Sequence, residues 1–337
     1  MNETYRKIIN ALIDVTNNNV FSPVALKHAL VLLGRIAGGN TEKQITDAVG
    51  SEKPVIDEML ENCSVSSSCW VNSDVNCRTE ALEIPCVYSV KMGVRETDNK
   101  IKEWVNHATG NMLDDTMDIS TTNDTIIELL STIYFKSAWS RKFKKDKSFS
   151  GSFYISDNES TDCEFMQREI RIPYFKGDDY EAAAIGFSSC ANVWFVMPKQ
   201  GKKIEEILDS FLKSEYISLW EERKVHITVP KIDISEKTDL MDCMIKLGIS
   251  DVFDPGLADF SVLSDTDNLY LSKAEQTTRI KWDEEGVEAA SCVEMAIARA
   301  CLIPESEVVE LVLDRPFFYM ITDFSDNPLF AGVVVRP

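Results

Sequence analysis

Residues 283–316 read DEEGVEAASCVEMAIARACLIPESEVVELVLDRP, and this run restricts the fold more than any other stretch of the chain. Three acids precede Gly286. From Val287 onward every second residue is small or apolar: Val287, Ala289, Ser291, Val293, Met295 and Ile297. The residues between them are Glu288, Ala290, Cys292, Glu294, Ala296 and Ala298. An extended chain sends alternate side chains to opposite faces, so the run can enter a sheet with the first set buried. The same letters are rich in Ala, Glu and Met, which favour helix, so an amphipathic helix fits them as well. Between residues 283 and 310 lie eight acids and one base, Arg299.

A chain of 337 residues with 44% hydrophobic content can bury a large core. Its length allows one domain or two. Neither an internal repeat nor a Pro/Gly-rich linker interrupts it, so a single unit spanning 1–337 is expected. The net charge of −20 repels nucleic acid and anionic membranes. It also disfavours heparin-like polyanions, unless a local basic patch overrides the mean. The first residues, MNETYRKIINALIDVTNNN, have neither a long apolar core nor a small-residue cleavage site, and so read as an amphipathic helix rather than a signal peptide. No stretch approaches the roughly 18 apolar residues of a membrane span. The nine cysteines include no CxxC pair, which fits reduced thiols in a cytoplasm. Asn2, Asn62, Asn123 and Asn158 begin N-x-S/T triplets, which carry weight only on a secretory route.

Catalytic signatures are missing: there is no G-x-S-x-G elbow, phosphate loop, H-E-x-x-H or G-x-G-x-x-G. The histidines are His28, His107 and His226. The first falls in an apolar helical stretch and the last alternates with apolar residues, so both read as structural. No cofactor, metal or enzymatic activity is expected.

Local signals place a helix over residues 3–16. A second follows over 24–37, with Ser22 as its cap and Pro23 in its first turn. A third is expected over 42–49, capped by Thr41. Residues 101–109 read as a helix, and Ile133, Tyr134 and Phe135 as a strand leaving into a loop.

Several of these stretches resemble one family, the serpins. The run from Glu284 through Gly286 to Ser291 is similar to the hinge of a serpin reactive-centre loop. Leu313-Asp314-Arg315-Pro316-Phe317 resembles the strand after that loop, and Leu329-Phe330-Ala331-Gly332 with Pro337 the serpin C-terminus. Asn19 to Pro23, Gly39-Asn40-Thr41 with Gln44-Ile45, Ile101 with Trp104-Val105 and Thr109, and Ile133 to Lys136 with Trp139 and Phe143 match further signatures in order. So do Val229-Pro230-Lys231-Ile232, Leu247-Gly248 and Ala258-Asp259-Phe260-Ser261. Departures fall at Ser131, where serpins usually carry Asn, at Ser137, where Gly is usual, and at Gln276, where His is common. They bear on how readily the main sheet parts. The interval between Val49 and Trp70 is short for the family and leaves little room for helix D. In this the chain resembles intracellular poxvirus serpins.

The resemblance implies an α+β serpin fold, with three β-sheets, about eight or nine helices and an exposed loop over about 284–307. It implies an inhibitor that works as a suicide substrate: loop cleavage, strand insertion and covalent trapping of the protease. The hinge would be Glu284, Gly286, Val287, Glu288, Ala289, Ala290, Ser291, Cys292 and Val293. Many serpins are cut after the residue fourteen beyond the hinge glycine, which is Ala300, before Cys301. A loop one residue shorter places the cut between Arg299 and Ala300, the favoured bond. Arg299 implies a trypsin-like serine protease, since such a pocket carries a carboxylate. Ala300 implies an elastase-like one, and a papain-like cysteine protease is a further candidate. The implied protein is a monomer that binds neither nucleic acid, membrane nor heparin. It resides in the cytoplasm, of an infected host cell if viral, with secretion by a non-cleaved signal as the other route. It would modulate host proteases in inflammation or apoptosis. The alternative on the same scaffold is a non-inhibitory serpin acting as a binding or decoy protein.

Overall fold

A computed structural model describes residues 1–52, 63–112, 119–213, 221–287 and 307–337. The chain opens with α1 (Glu3–Leu12), β1 (Asn19–Phe21), α2 (Pro23–Gly34) and α3 (Gly39–Val49). It continues through β2 (Cys63–Asn72), α4 (Thr79–Leu82), β3 (Val87–Val90), α5 (Arg95–Ala108), β4 (Ile127–Phe135) and β5 (Ser137–Ala138). The middle is mostly strand: β6 (Phe149–Ser156), β7 (Glu159–Lys176), β8 (Tyr180–Gly186) and β9 (Asn192–Pro198), then α6 (Ile204–Lys213). The last third holds β10 (Glu221–Pro230), β11 (Ile232–Asp239), α7 (Met241–Lys246), β12 (Leu271–Trp282), β13 (Gly286–Val287), β14 (Val309–Val312), β15 (Phe317–Thr322) and β16 (Pro328–Val334).

The expected helices form, with shifted ends. Asn2 caps α1 by accepting from the Thr4 amide at 2.9 Å. That helix stops at Leu12 rather than residue 16, because Asp14 instead takes hydrogen bonds from the Thr16 amide and hydroxyl and closes a turn. Ser22 caps α2 as expected, accepting from the Ala25 amide at 3.1 Å, with Pro23 in the first turn. Thr41 does not cap α3, which begins earlier, at Gly39. Its buried hydroxyl instead accepts from the Asp259 amide at 2.9 Å and ties the helix to the last third of the chain.

The strands form two hydrogen-bonded networks, against the three sheets expected. One has nine strands in the order β1-β16-β15-β9-β8-β7-β10-β14, with β6 also on β7. The reason for the merger is β7. Its 18 residues pair with β6 and β10 along most of their length and with β8 through Tyr174, Phe175 and Lys176. One strand therefore belongs to two sheet regions. The other network has seven strands, β3-β2-β4-β12-β13-β5, with β11 on the outer side of β12. Seven α-helices occur among the described residues.

The N-terminal β1 pairs antiparallel with the C-terminal β16, Asn19 against Val333 and Phe21 against Ala331. The approach is so close that a Cβ on Gly332 would lie 1.9 Å from the Asn19 carbonyl oxygen, so only glycine fits there. The core between the layers is aromatic. Trp282 at the end of β12 meets Tyr319 edge-on at 5.1 Å and Phe195 at 5.7 Å. His28 sits beside the Ser67 hydroxyl at 2.8 Å, and His226 beside Gln167 at 2.9 Å, both as structural partners.

Candidate functional site

The acidic turn before Gly286 is built by its own backbone and by long-range anchors. Trp282 is 1% exposed, and its indole donates to the Pro230 carbonyl at 2.8 Å, which fixes the end of β12. The chain then reverses. The Asp283 amide donates to the Gly286 carbonyl at 3.1 Å, and the Asp283 carboxylate accepts from the Glu285 amide at 2.8 Å. Gly286 and Val287 return antiparallel as β13, Val287 opposite Trp282 on one side and opposite Ser137 on the other. Gly286 lies opposite Ala138, and a Cβ there would sit 2.3 Å from the Ser137 carbonyl oxygen. Glycine is thus the residue that lets this strand start between its neighbours. Val287 is 1% exposed.

Side chains far apart in sequence hold the turn. The Trp139 indole donates to the Asp283 carbonyl at 2.7 Å, the Trp139 amide to the Glu285 carbonyl at 3.1 Å, and the Phe143 amide to the Glu284 carbonyl at 3.0 Å. The Glu284 carboxylate is buried. It accepts from Lys231 Nζ at 2.7 Å and from the Ser148 hydroxyl at 2.5 Å. Burial alone pushes its pKa up, but the bonds from Lys231 and Ser148 outweigh that and hold the carboxyl below its ordinary range. Lys231 also reaches Glu164 at 2.9 Å. Glu285 pairs with Lys142 at 2.6 Å and Lys145 at 3.5 Å, and the Lys142 hydrogen bond lowers its pKa too.

Below β13 the sheet has two regimes. From Leu271↔Ile127 to Thr277↔Thr132, β12 and β4 pair directly and parallel in six register pairs. Beyond Thr277 they part. On the sides facing each other, residues 278–281 of β12, residues 133–135 of β4 and Lys136 after it have no ladder partner among the described residues. The result is a wedge, open under β13 and closed from Thr277 and Thr132 downward.

Polar groups stitch the closed part. Gln276 is fully buried. Its carbonyl oxygen accepts from the Ser22 amide at 2.7 Å, and its amide nitrogen donates to the Ser22 carbonyl at 3.1 Å and to the Ser131 hydroxyl at 3.4 Å. It joins β12, β4 and the start of α2 at one point. Lower down, the buried Glu128 of β4 accepts from Lys273 of β12 at 2.8 Å. Burial raises the Glu128 pKa, and its second carboxylate oxygen has no partner among the described residues.

Of the residues read as a hinge, Glu284, Gly286 and Val287 come together here. Glu288, Ala289, Ala290, Ser291, Cys292 and Val293 lie outside the described residues, as do Arg299, Ala300 and Cys301 of the candidate bonds. The clamp on Glu284 was not foreseen. Lys231 stood in a recognisable motif, but nothing local ties it, Ser148 or Trp139 to a turn so far along the chain. Chemically the arrangement presents the first two residues of a strand, already seated, above a slot bounded by two parallel strands.

Residues 2–337 match the family model described as "Serpin (serine protease inhibitor)". The chain is 28% identical to serine proteinase inhibitor 1 of myxoma virus (strain Lausanne), over 99% of this chain and 89% of the relative. It is 25% identical to plasminogen activator inhibitor 1 of Sus scrofa, over 99% and 90% of the two chains. Among solved structures it superposes on the native state of the thermophilic serpin tengpin with a TM-score of 0.86 at 22% identity, covering 99% of this chain and 92% of that one. That last likeness concerns the fold alone.

Proposed function

The chain belongs to the serpin family, and from that premise we propose that it is a protease inhibitor of the suicide-substrate kind. The observation that carries the reading is the wedge beneath β13. Continuing the β13 register, residue 288 falls opposite residues 281 and 136, and residue 291 opposite residues 278 and 133. Four residues can therefore add to β13 without disturbing any existing pair. Residue 292 is the first to meet a closed one, Thr277↔Thr132. Strand orientation agrees, since β4 and β12 are parallel and β13 opposes both.

In this mechanism a protease attacks the loop and becomes esterified to it. The cut loop then enters the slot as a middle strand. The six parted pairs are replaced by ladders on both sides of the newcomer, so one ladder is gained, at a net ~1 kcal/mol per bond. Burying Val293, Met295 and Ile297 on the face that Val287 already occupies contributes roughly 1.5–3 kcal/mol each. These terms together rival the ~5–15 kcal/mol that holds a typical domain together, enough to distort an enzyme still tethered to the loop. The small residues Ala289, Ala290, Ser291 and Cys292 suit rapid entry before the ester hydrolyses.

The favoured bond is Arg299–Ala300 and the favoured target a trypsin-like serine protease. Ala300–Cys301 would redirect the chain to elastase-like enzymes. The short interval between Val49 and Trp70 and the similarity to a myxoma virus inhibitor support a viral serpin that restrains host proteases, as a monomer in the cytoplasm. Incubation with trypsin is the test. A band of summed mass that survives SDS, with the cut mapped after Arg299 by mass spectrometry, is expected. Clean loop cleavage without such a band, for trypsin, elastase and papain-like proteases alike, would leave the binding-protein alternative in its place.

A further inference from the structure

The chain carries a net charge of −20, yet residues 141–147 read Arg-Lys-Phe-Lys-Lys-Asp-Lys, five cations in seven residues. This loop is rigidly held. Phe143 is buried, edge-on to Trp139 at 5.6 Å and under the Arg168 guanidinium at 5.5 Å. Arg168 also donates to the carbonyls of Arg141 and Lys142. Through Trp139 and Phe143 the loop is bonded to the carbonyls of Glu285 and Glu284, so it is fixed to the turn from which the reactive loop departs. Lys142 and Lys145 are paired with Glu285. Arg141, Lys144 and Lys147 are exposed and have no acidic partner among the described residues. The strand that follows the reactive loop, β14, lies two ladders away. Gln167 donates to the Lys147 carbonyl at 3.1 Å, lies opposite Thr228 of β10, and Thr228 lies opposite Val312 of β14. A protease that attacks the loop must approach between the turn at 284–286, to which this cationic loop is bonded, and β14.

We propose that Arg141, Lys144 and Lys147 form a docking patch for an acidic surface on the protease that attacks the loop. It rests on the preceding reading only in that a protease must approach the loop. A protein surface suits the patch better than a long polyanion does. The patch is a few residues wide, and a chain of uniform negative charge would run beyond it across an acidic body. Cations beside the cleavage loop speed encounter rather than deepen affinity, and their effect fades with salt.

The probes are anionic and cationic trypsin, which share a preference for cutting after Arg and Lys. The readout is the rate at which intact chain is consumed, whether into complex or into cleaved product. Complex formation tests the inhibitor reading separately. The variant is Arg141→Gln/Lys144→Gln/Lys147→Gln, and its control, Lys43→Gln/Arg95→Gln/Lys246→Gln, changes net charge equally at positions on other elements. Consumption by anionic trypsin should fall about tenfold in the variant at low salt, remain near wild type in the control, and converge for all three proteins as salt rises. With cationic trypsin the variant should not slow. An unchanged rate with anionic trypsin, or an equal loss in the control, overturns the proposal. A rise with both enzymes also overturns it, since the patch would then be serving the chain's own acidic loop. Retention of wild type but not the variant on immobilised heparin at physiological salt assigns the patch to a sulfated polysaccharide and overturns the protein partner.

Discussion

Glu284 shows how one carboxylate can govern a turn. Its folded pKa lies below the ordinary value of 4.5, so its contribution is complete above that pH and is lost as pH falls through the lower folded value. Replacing it with Gln leaves Lys231 with Glu164 alone. We expect Glu284→Gln to cost about 1–3 kcal/mol in urea unfolding at pH 7, and the difference from wild type to shrink as the pH is lowered past 4.5. A gap independent of pH would mean that the charge is not what matters. Gln276 makes a second such point. Gln276→Ala strips the buried Ser22 amide of its acceptor, while the Ser22 carbonyl keeps the Leu26 amide, and should lower stability by about 2 kcal/mol. It should also quicken sheet opening, read as faster hydrogen exchange along residues 273–277. Little of this was legible in the sequence. Thr41 looked like a helix cap by every local rule, yet its partner Asp259 is 218 residues away. Local periodicity carries no record of such meetings.

At the scale of elements, only Val287 of the alternating run falls among the described residues. Val287 was expected inward and is inward, and Ser22 was expected to cap and caps. What the letters left undecided between strand and helix is resolved for Gly286 and Val287, which pair on both sides as a strand. Val287→Arg therefore places an unpaired charge at the mouth of the wedge, a cost of roughly several kcal/mol. The variant should be cut at the wild-type rate but release the protease, so that many more molecules are consumed per enzyme inactivated. Unchanged stoichiometry in a titration against trypsin would argue that the loop does not need this position to enter. The nine-stranded network was the element-scale surprise. Nothing in residues 159–176 announces that one strand will serve two sheet regions, because the strand reads the same whichever neighbours it has.

For the molecule as a whole, the motifs spread from Asn19 to Pro337 made the family readable, and the match over residues 2–337 agrees. On the proposed mechanism the cut loop fills the slot and lowers the energy of the chain. Cleavage in the loop should thus raise the melting temperature by roughly 15 °C, since for a chain of 337 residues a gain on the order of 10 kcal/mol moves the transition by about 1.4 °C per kcal/mol. Differential scanning calorimetry before and after limited proteolysis decides it, and an unmoved transition would point to the binding-protein alternative. The pairing of β1 with β16 bears on how such a chain is made. The Tyr319 hydroxyl donates to the Asn19 carbonyl across 300 residues of sequence. On a ribosome adding about 5–20 residues per second, the first strand waits roughly 15–60 s for its partner to emerge. During that wait Val20 and Phe21 lack the strand they pair with, and β1 is the element on which holdase chaperones have their longest opportunity.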